Sequence, residues 1–217
     1  IMSRAERYPI PANIKQATHT SADDYQRLYQ QSINDPETFW AEQARHYLDW
    51  SKPFQQVCSG DFGKGESRWF EDGELNVAVN CIDRHLPERA DQTAILWQGD
   101  DPDDHKAISY RELSEAVNRL ANALRDLGIS AGDRVCIYMP NANAAMAQCS
   151  SIKHCLVVKR TGADIQWQDG RDHWYHELTE KADTQCEATP MNAEAPLFIL
   201  YTSGSTGKPK GVLHSSA

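Results

Sequence analysis

Long apolar runs are missing from this sequence of 217 residues. Nothing approaches the roughly 20 consecutive apolar residues of a membrane-spanning helix, and no short apolar leader core stands near its start. A cytoplasmic protein without a membrane partner is therefore expected. Positive charge is scarce as well: 22 Lys and Arg stand against 31 Asp and Glu, a net charge of −9. That balance argues against general affinity for nucleic acid or an anionic surface, while leaving room for a local basic pocket. Cysteine patterning is absent. Cys58, Cys81, Cys136, Cys149, Cys155 and Cys186 form no C-x-x-C pair and do not stand at zinc-ligand spacing with histidine. Reduced thiols are the expectation, with no metal site. Glycine is modest at 12 residues, and there is no internal repeat, so this is not a low-complexity chain.

What is present is ordinary globular composition, 40% hydrophobic and 24% charged, in a chain long enough for one large or two small cores. Residues 1–20, with Pro9 and Pro11 and no period, read as an arm. Ser21 caps a helix expected over 21–31, with Tyr25, Leu28 and Tyr29 on one face. Asp35 and Pro36 open a second helix, to about 47, carrying Phe39, Trp40, Gln43, Ala44 and Tyr47 near one side. Trp50, Phe54 and a Gly-rich loop at 59–65 follow. Asp72-Gly73 between Trp69-Phe70 and Glu74-Leu75 signals a hairpin, and Asn76 is placed to cap a short helix to 86. A strand is expected at 93–97. The acidic turn 99–104 reads as a solvated loop rather than a metal site.

The clearest helix opens on the capping box Ser109 to Glu112 and runs through Leu113, Val117, Leu120, Ala121, Leu124 and Leu127 to Gly128. A buried strand at 134–139 comes next, closed by Pro140. Strand, helix, strand in that order argues an α/β fold with mostly parallel sheets. The alanine-rich stretch 141–155 reads as helix, 156–159 as a short strand, and 172–182 as helix with Trp174 and Leu178 packed.

The end of the sequence carries the chemistry. Leu197-Phe-Ile-Leu-Tyr201 reads as a buried strand emptying into Thr202-Ser-Gly-Ser-Thr-Gly-Lys-Pro-Lys-Gly211. Gly204, Gly207 and Gly211 let backbone approach an anion, and inward N–H groups form an anion nest. Thr202, Ser203, Ser205 and Thr206 add hydroxyl donors, and Lys208 and Lys210 add charge. The pattern fails the Walker A test, G-x-x-x-x-G-K-[ST]. Five residues before Gly207 stands Thr202, and Pro209, with no N–H and no hydroxyl, follows Lys208. That argues against a P-loop kinase or GTPase. On composition alone a flexible linker competes with a phosphate cradle. The apolar strand before the loop and Val212-Leu213 after it favour the cradle, because ligands gather at the C-terminal ends of buried strands. His214, on the strand after the loop, reads as a packed or hydrogen-bonded histidine.

The run Tyr201-Thr-Ser-Gly-Ser-Thr-Gly-Lys-Pro-Lys-Gly-Val212 resembles the phosphate loop of the adenylate-forming enzymes. Tyr29-Gln-Gln-Ser-Ile33, Phe39-Trp-Ala-Glu-Gln43, Trp69-Phe-Glu-Asp-Gly73, Cys81-Ile-Asp-Arg-His-Leu86, Trp97-Gln-Gly-Asp-Asp-Pro102, Ile108-Ser-Tyr-Arg-Glu-Leu113 and Val157-Val-Lys-Arg-Thr-Gly162 resemble the acetyl-CoA synthetase family of AMP-forming acetate–CoA ligases. The resemblance implies the N-terminal part of that family's large α/β domain. Residues 1–65 are then the N-terminal arm and helix pair, and 66–217 an incomplete AMP-binding domain. It implies ATP, Mg²⁺, acetate and coenzyme A as reactants, and Thr202, Ser203, Gly204, Ser205, Thr206, Gly207, Lys208 and Lys210 as the contacts to the ATP phosphates.

Two departures from the family stand out. The family continues well past this loop, through its nucleotide- and acyl-binding half to a C-terminal domain with a catalytic lysine. No catalytic residue is thus expected in the sequence at hand. The family also carries several dozen more residues between Met139 and Val157, including an arginine pair that contacts coenzyme A. Here the joining segment 141–154 matches only roughly, so pieces of a longer chain are expected to meet there. The 217 residues alone are expected to be inactive. Propionate or another short acid remains an alternative substrate. An inactive nucleotide-binding or structural fragment is the alternative of another class.

Overall fold

The structure is a computed structural model, and it describes residues 9–130, 132–133, 152–159, 165, 167–202 and 210–216. The chain divides into two compact units, Ile1–Asn76 with Pro190–Ala217, and Val77–Thr189. Among the described residues the strands form five two-stranded ribbons, four antiparallel and one parallel, and helices complete the α/β content. No described helix is long and apolar enough to cross a membrane.

The first unit begins with helices α1 (Ala12–Ala17), α2 (Ala22–Asn34) and α3 (Pro36–Tyr47). The Ser21 hydroxyl accepts from the Asp24 N–H, and the Asp24 carboxylate accepts from the Ser21 N–H, a complete capping box. That double closure is why α2 starts where the sequence says. It runs three residues past the expected end, until Asp35 takes over as N-cap of α3 by accepting from Thr38 N–H at 3.3 Å. Ala41 and Ala44 turn the inner face of α3 onto a core of Phe54, Val57, Phe70, Leu75 and Ala193, flanked by Trp50 and Trp69. Trp50 Nε1 donates to the Ala44 carbonyl at 2.9 Å, which also accepts from the Leu48 N–H at 3.2 Å.

The hairpin expected over 69–75 is a correction. The turn exists, with Gly73 N–H donating to Phe70 O at 2.8 Å. Its flanks, however, pair elsewhere: β2 (Arg68–Trp69) with β1 (Cys58–Ser59), and β3 (Glu74–Leu75) with β8 (Met191–Asn192). The reason is local. Phe70 lies in the left-handed region at φ 51°, a strained setting for a bulky residue. Gly73 is pressed against Trp50, where a Cβ would stand 2.7 Å from the indole. The turn therefore swings the two flanks apart.

β9 (Pro196–Thr202) pairs antiparallel with β10 (Lys210–Ser215). It is a strand as expected but not buried: exposure rises from 45% at Leu197 to 68% at Tyr201. Among the described residues β10 is its sole strand partner.

In the second unit the helix expected from 76 to 86 is three short pieces: α4 (Val77–Cys81), a 3-10 turn (Asp83–His85) and α5 (Leu86–Arg89). Ile82 leaves helical geometry at φ −128°, ψ −66°, and Pro87, lacking an N–H, begins a new helix. β4 (Thr93–Gln98) and β5 (His105–Ser109) form a hairpin. The acidic residues sit in its turn, held by Gln98 Nε2 donating to the Asp101 carbonyl at 2.9 Å. α6 (Tyr110–Asp126) opens on the Ser109–Glu112 capping box. It closes with Gly128 N–H on the Arg125 carbonyl and Ile129 N–H on the Leu124 carbonyl, with Gly128 at φ 78°, the Schellman pattern.

The polar face of α6 binds backbone carbonyls of residues 179–187. Asn118 Nδ2 reaches the Thr184 carbonyl, Arg119 Nη1 the carbonyls of Thr179, Glu180 and Ala182, Asn122 Nδ2 those of Asp183 and Gln185, and Arg125 Nη2 that of Glu187, all at 2.9–3.2 Å. Two further expectations shift. The strand placed at 156–159 is β6 (Cys155–Val157), and residues 172–174, expected as helix, form β7 (Asp172–Trp174) parallel to it. The helix starts only at α7 (Tyr175–Lys181). Asp172 is the cause: its carboxylate takes Arg171 Nε at 2.6 Å and the Gln168 N–H at 2.8 Å, which fixes an extended chain. The expected strand 134–139 and the part of the expected helix through 151 lie outside the described residues. Residues 152–154 are irregular, and Cys155 is strand.

Candidate functional site

The β9–β10 ribbon flanks the loop in sequence on both sides. Thr202 is the last residue of β9, Lys210 the first of β10, and the two are partners. Ser203, Gly204, Ser205, Thr206, Gly207, Lys208 and Pro209 lie outside the described residues. Thr202 and Lys210 face each other at one step of an antiparallel ladder, where partner Cα atoms stand about 5 Å apart. The register runs on through Tyr201 and Gly211, Leu200 and Val212, Ile199 and Leu213, Phe198 and His214.

Gly211 has a different job from the one its place in the loop suggested. It lies in strand, and no left-handed backbone is involved. A Cβ there would meet Ile199 Cγ2 at 3.1 Å and the Tyr201 ring at 3.3 Å. Its missing side chain is the space that the Tyr201 ring uses. Tyr201 and Gly211 are partners in the ladder, an aromatic facing a glycine. His214 stacks on Phe198, ring centroids 4.5 Å apart at 18°, while both residues stay exposed.

Elsewhere the polar clusters are structural. Asp172 is 3% exposed, and its carboxyl is held below the ordinary value, chiefly by the Arg171 guanidinium. Burial pushes the Cys155 thiol up, the opposite of a reactive cysteine. His154 Nδ1 and His173 Nε2 are 3.2 Å apart. Among the described residues no group of three or more His, Cys, Asp or Glu gathers to hold a metal. The second unit has an open cleft of about 300 Å³ beside Trp167, Trp174 and Glu177.

Residues 82–149 and 142–217 match the family described as AMP-binding enzyme. The chain belongs to that family. Residues 25–81 match the family described as acetyl-coenzyme A synthetase N-terminus. Among curated relatives, acetyl-coenzyme A synthetase 2 of Pseudomonas putida is 44% identical over 97% of this chain and 42% of its own length. The acetyl-coenzyme A synthetases of Halorhodospira halophila and Escherichia coli K12 are 42% and 43% identical, over 100% and 99% of this chain and 43% of their own lengths. The acetoacetyl-CoA synthetase of Streptomyces lividans superposes with a TM-score of 0.73 at 22% identity, over 94% of this chain and 40% of that one, a likeness of fold.

The chain thus spans about two fifths of the length of the curated relatives it matches. The two AMP-binding matches share residues 142–149. The Halorhodospira relative aligns over 276 residues against 217 here. Several dozen of its residues therefore have no counterpart in this sequence.

Proposed function

We propose that this chain is part of an AMP-forming acetate–CoA ligase. In the first step an acetate oxygen attacks the α-phosphorus of Mg–ATP. The bond from that phosphorus to pyrophosphate breaks, giving acetyl-adenylate. In the second, the sulfur of coenzyme A attacks the acetyl carbon, the carbon–oxygen bond to phosphate breaks, and AMP leaves with the product acetyl-CoA. Magnesium enters with the nucleotide, and no residue of this chain is assigned to it. A cytoplasmic location goes with this reading.

Thr202, Ser203, Gly204, Ser205, Thr206, Gly207, Lys208 and Lys210 bind the β- and γ-phosphates as negative charge develops on departing pyrophosphate. Preorganised N–H, hydroxyl and ammonium donors at that point lower the barrier. The observation that carries the reading is the Thr202–Lys210 pairing, which brings the two residues bounding this donor-rich stretch together in one ladder. Relatives bearing the acetyl-CoA synthetase name support acetate as the acid. In the full-length protein, Lys208→Ala and Gly207→Leu are expected to slow acetate-dependent ATP–pyrophosphate exchange. Unchanged exchange in both removes the phosphate-binding role. A second reading, a nucleotide-binding piece without turnover of its own, is favoured by the coverage of about two fifths of the relatives. It predicts nucleotide binding but no acetyl-CoA from the isolated 217 residues.

A further inference from the structure

The N-terminal aromatic cluster has no part in the phosphate chemistry, yet it grips the chain immediately before β9. The grip is dense. Glu74 and Leu75 pair with Asn192 and Met191 in the β3–β8 ladder. Ala193 N–H donates to the Gly73 carbonyl at 3.0 Å, and Asn192 Nδ2 donates to the Glu71 carbonyl at 2.6 Å. The Glu194 carboxylate accepts from the Trp69 N–H. Ala193 is fully buried, among Phe54, Phe70 and Leu75. Asn192 also shapes its own turn, its Oδ1 accepting from the Glu194 N–H at 2.9 Å.

The other half of the socket is equally constrained. Phe70 is held at φ 51°, a conformation that persists only where its surroundings over-determine it. Asp72 does much of that, its carboxylate accepting from the N–H groups of Gln55 at 2.9 Å and Gln56 at 3.3 Å. A strained turn pinned from one side by Asp72 is thus clasped from the other by residues 192–194. Two residues after Glu194, Pro196 begins β9, whose far end is Thr202.

We infer that Asn192 and Glu194 are positioning residues, which fasten the root of the phosphate-loop strand to the N-terminal aromatic cluster. The functional consequence rests on the phosphate-binding role proposed above; the clasp itself does not. Glu194 acts here as a hydrogen-bond acceptor, with no basic side chain bonded to it among the described contacts. A neutral amide oxygen can serve in its place.

The test uses the full-length protein with Glu194→Ala, Glu194→Gln, Asn192→Ala and Lys208→Ala. Hydrogen exchange of the amides at 197–201 reads the strand, and ATP–pyrophosphate exchange reads the site. Glu194→Ala is expected to lower amide protection across 197–201 and to raise KM for pyrophosphate several-fold, with a smaller change in kcat. Glu194→Gln should restore both, and Asn192→Ala should fall between. Lys208→Ala should slow exchange chemistry with wild-type protection of the strand. Wild-type protection in both Glu194→Ala and Asn192→Ala overturns the clasp, as does a Glu194→Gln variant as impaired as Glu194→Ala. Lowered protection with unchanged KM, beside a Lys208→Ala variant that does lose activity, overturns the link from clasp to site. If Glu194→Ala does not fold, the Asn192→Ala and Glu194→Gln pair decides by the same two readouts.

Discussion

Two single residues carry sharp expectations. Gly211 leaves room for Tyr201, so Gly211→Val places a branched side chain where even one Cβ is 3.1–3.3 Å from its neighbours. Overpacking of this kind costs about 1–3 kcal/mol. The ladder amides of β9 and β10 should exchange faster in that variant, and a shortened Tyr201 should restore them; unchanged exchange contradicts the close fit. Asp172 offers a pH signature. Its carboxyl is depressed by Arg171 and by the Gln168 N–H. A lowered folded-state value means that its contribution is complete above the ordinary carboxylate range and fades as pH falls through the depressed value. Asp172→Asn should therefore destabilise the protein at neutral pH by about 2 kcal/mol. The variant and wild type should converge in strong acid, as read by tryptophan fluorescence against denaturant. A gap that does not narrow with falling pH contradicts the assignment. Asp172 also shows why residue roles were partly hidden. The sequence displays a carboxylate beside an arginine, but its capture of the Gln168 N–H, and the strand it creates, come from chain folding back.

At the scale of elements, what was legible was local. The Ser21 cap, the Ser109–Glu112 capping box, the Asp35–Pro36 start and the Gly128 stop lie within a few residues of the backbone groups they satisfy, and all four appear in the structure. Ser109→Ala is expected to lower stability by about 1 kcal/mol. Gly128→Ala, at φ 78° with open space around it, should cost about 1–2 kcal/mol from backbone strain alone. Thermal or denaturant unfolding measures both, and a neutral Gly128→Ala contradicts the Schellman end. What was not legible was long-range. β3 finds its partner more than a hundred residues away, and the turn signal at Asp72-Gly73 pointed to the wrong neighbour because Trp50 and Phe70 redirect it. The buried character expected of β9 failed for a related reason: five apolar residues declare the cover that a strand wants, and the described residues supply one partner strand.

For the molecule as a whole, the exposed ribbon has a physical consequence. Leu197, Phe198, Ile199, Leu200, Val212 and Leu213 are each 45–58% exposed, and contiguous apolar surface of this kind binds dyes and promotes association. The isolated 217 residues should enhance anilinonaphthalene sulfonate fluorescence, and Leu200→Lys with Leu213→Lys should diminish it. Equal fluorescence in the two contradicts the exposed ribbon. Family membership was legible because the loop motif is long and contiguous, so no folding was needed to read it. The most direct measurement is of products. Full-length protein incubated with acetate, ATP and coenzyme A should form acetyl-CoA and AMP in equal amounts, with AMP formation falling on Lys208→Ala. Formation of ADP in place of AMP, or AMP and acetyl-CoA at undiminished rates from the Lys208→Ala and Gly207→Leu variants, would contradict the phosphate-loop assignment.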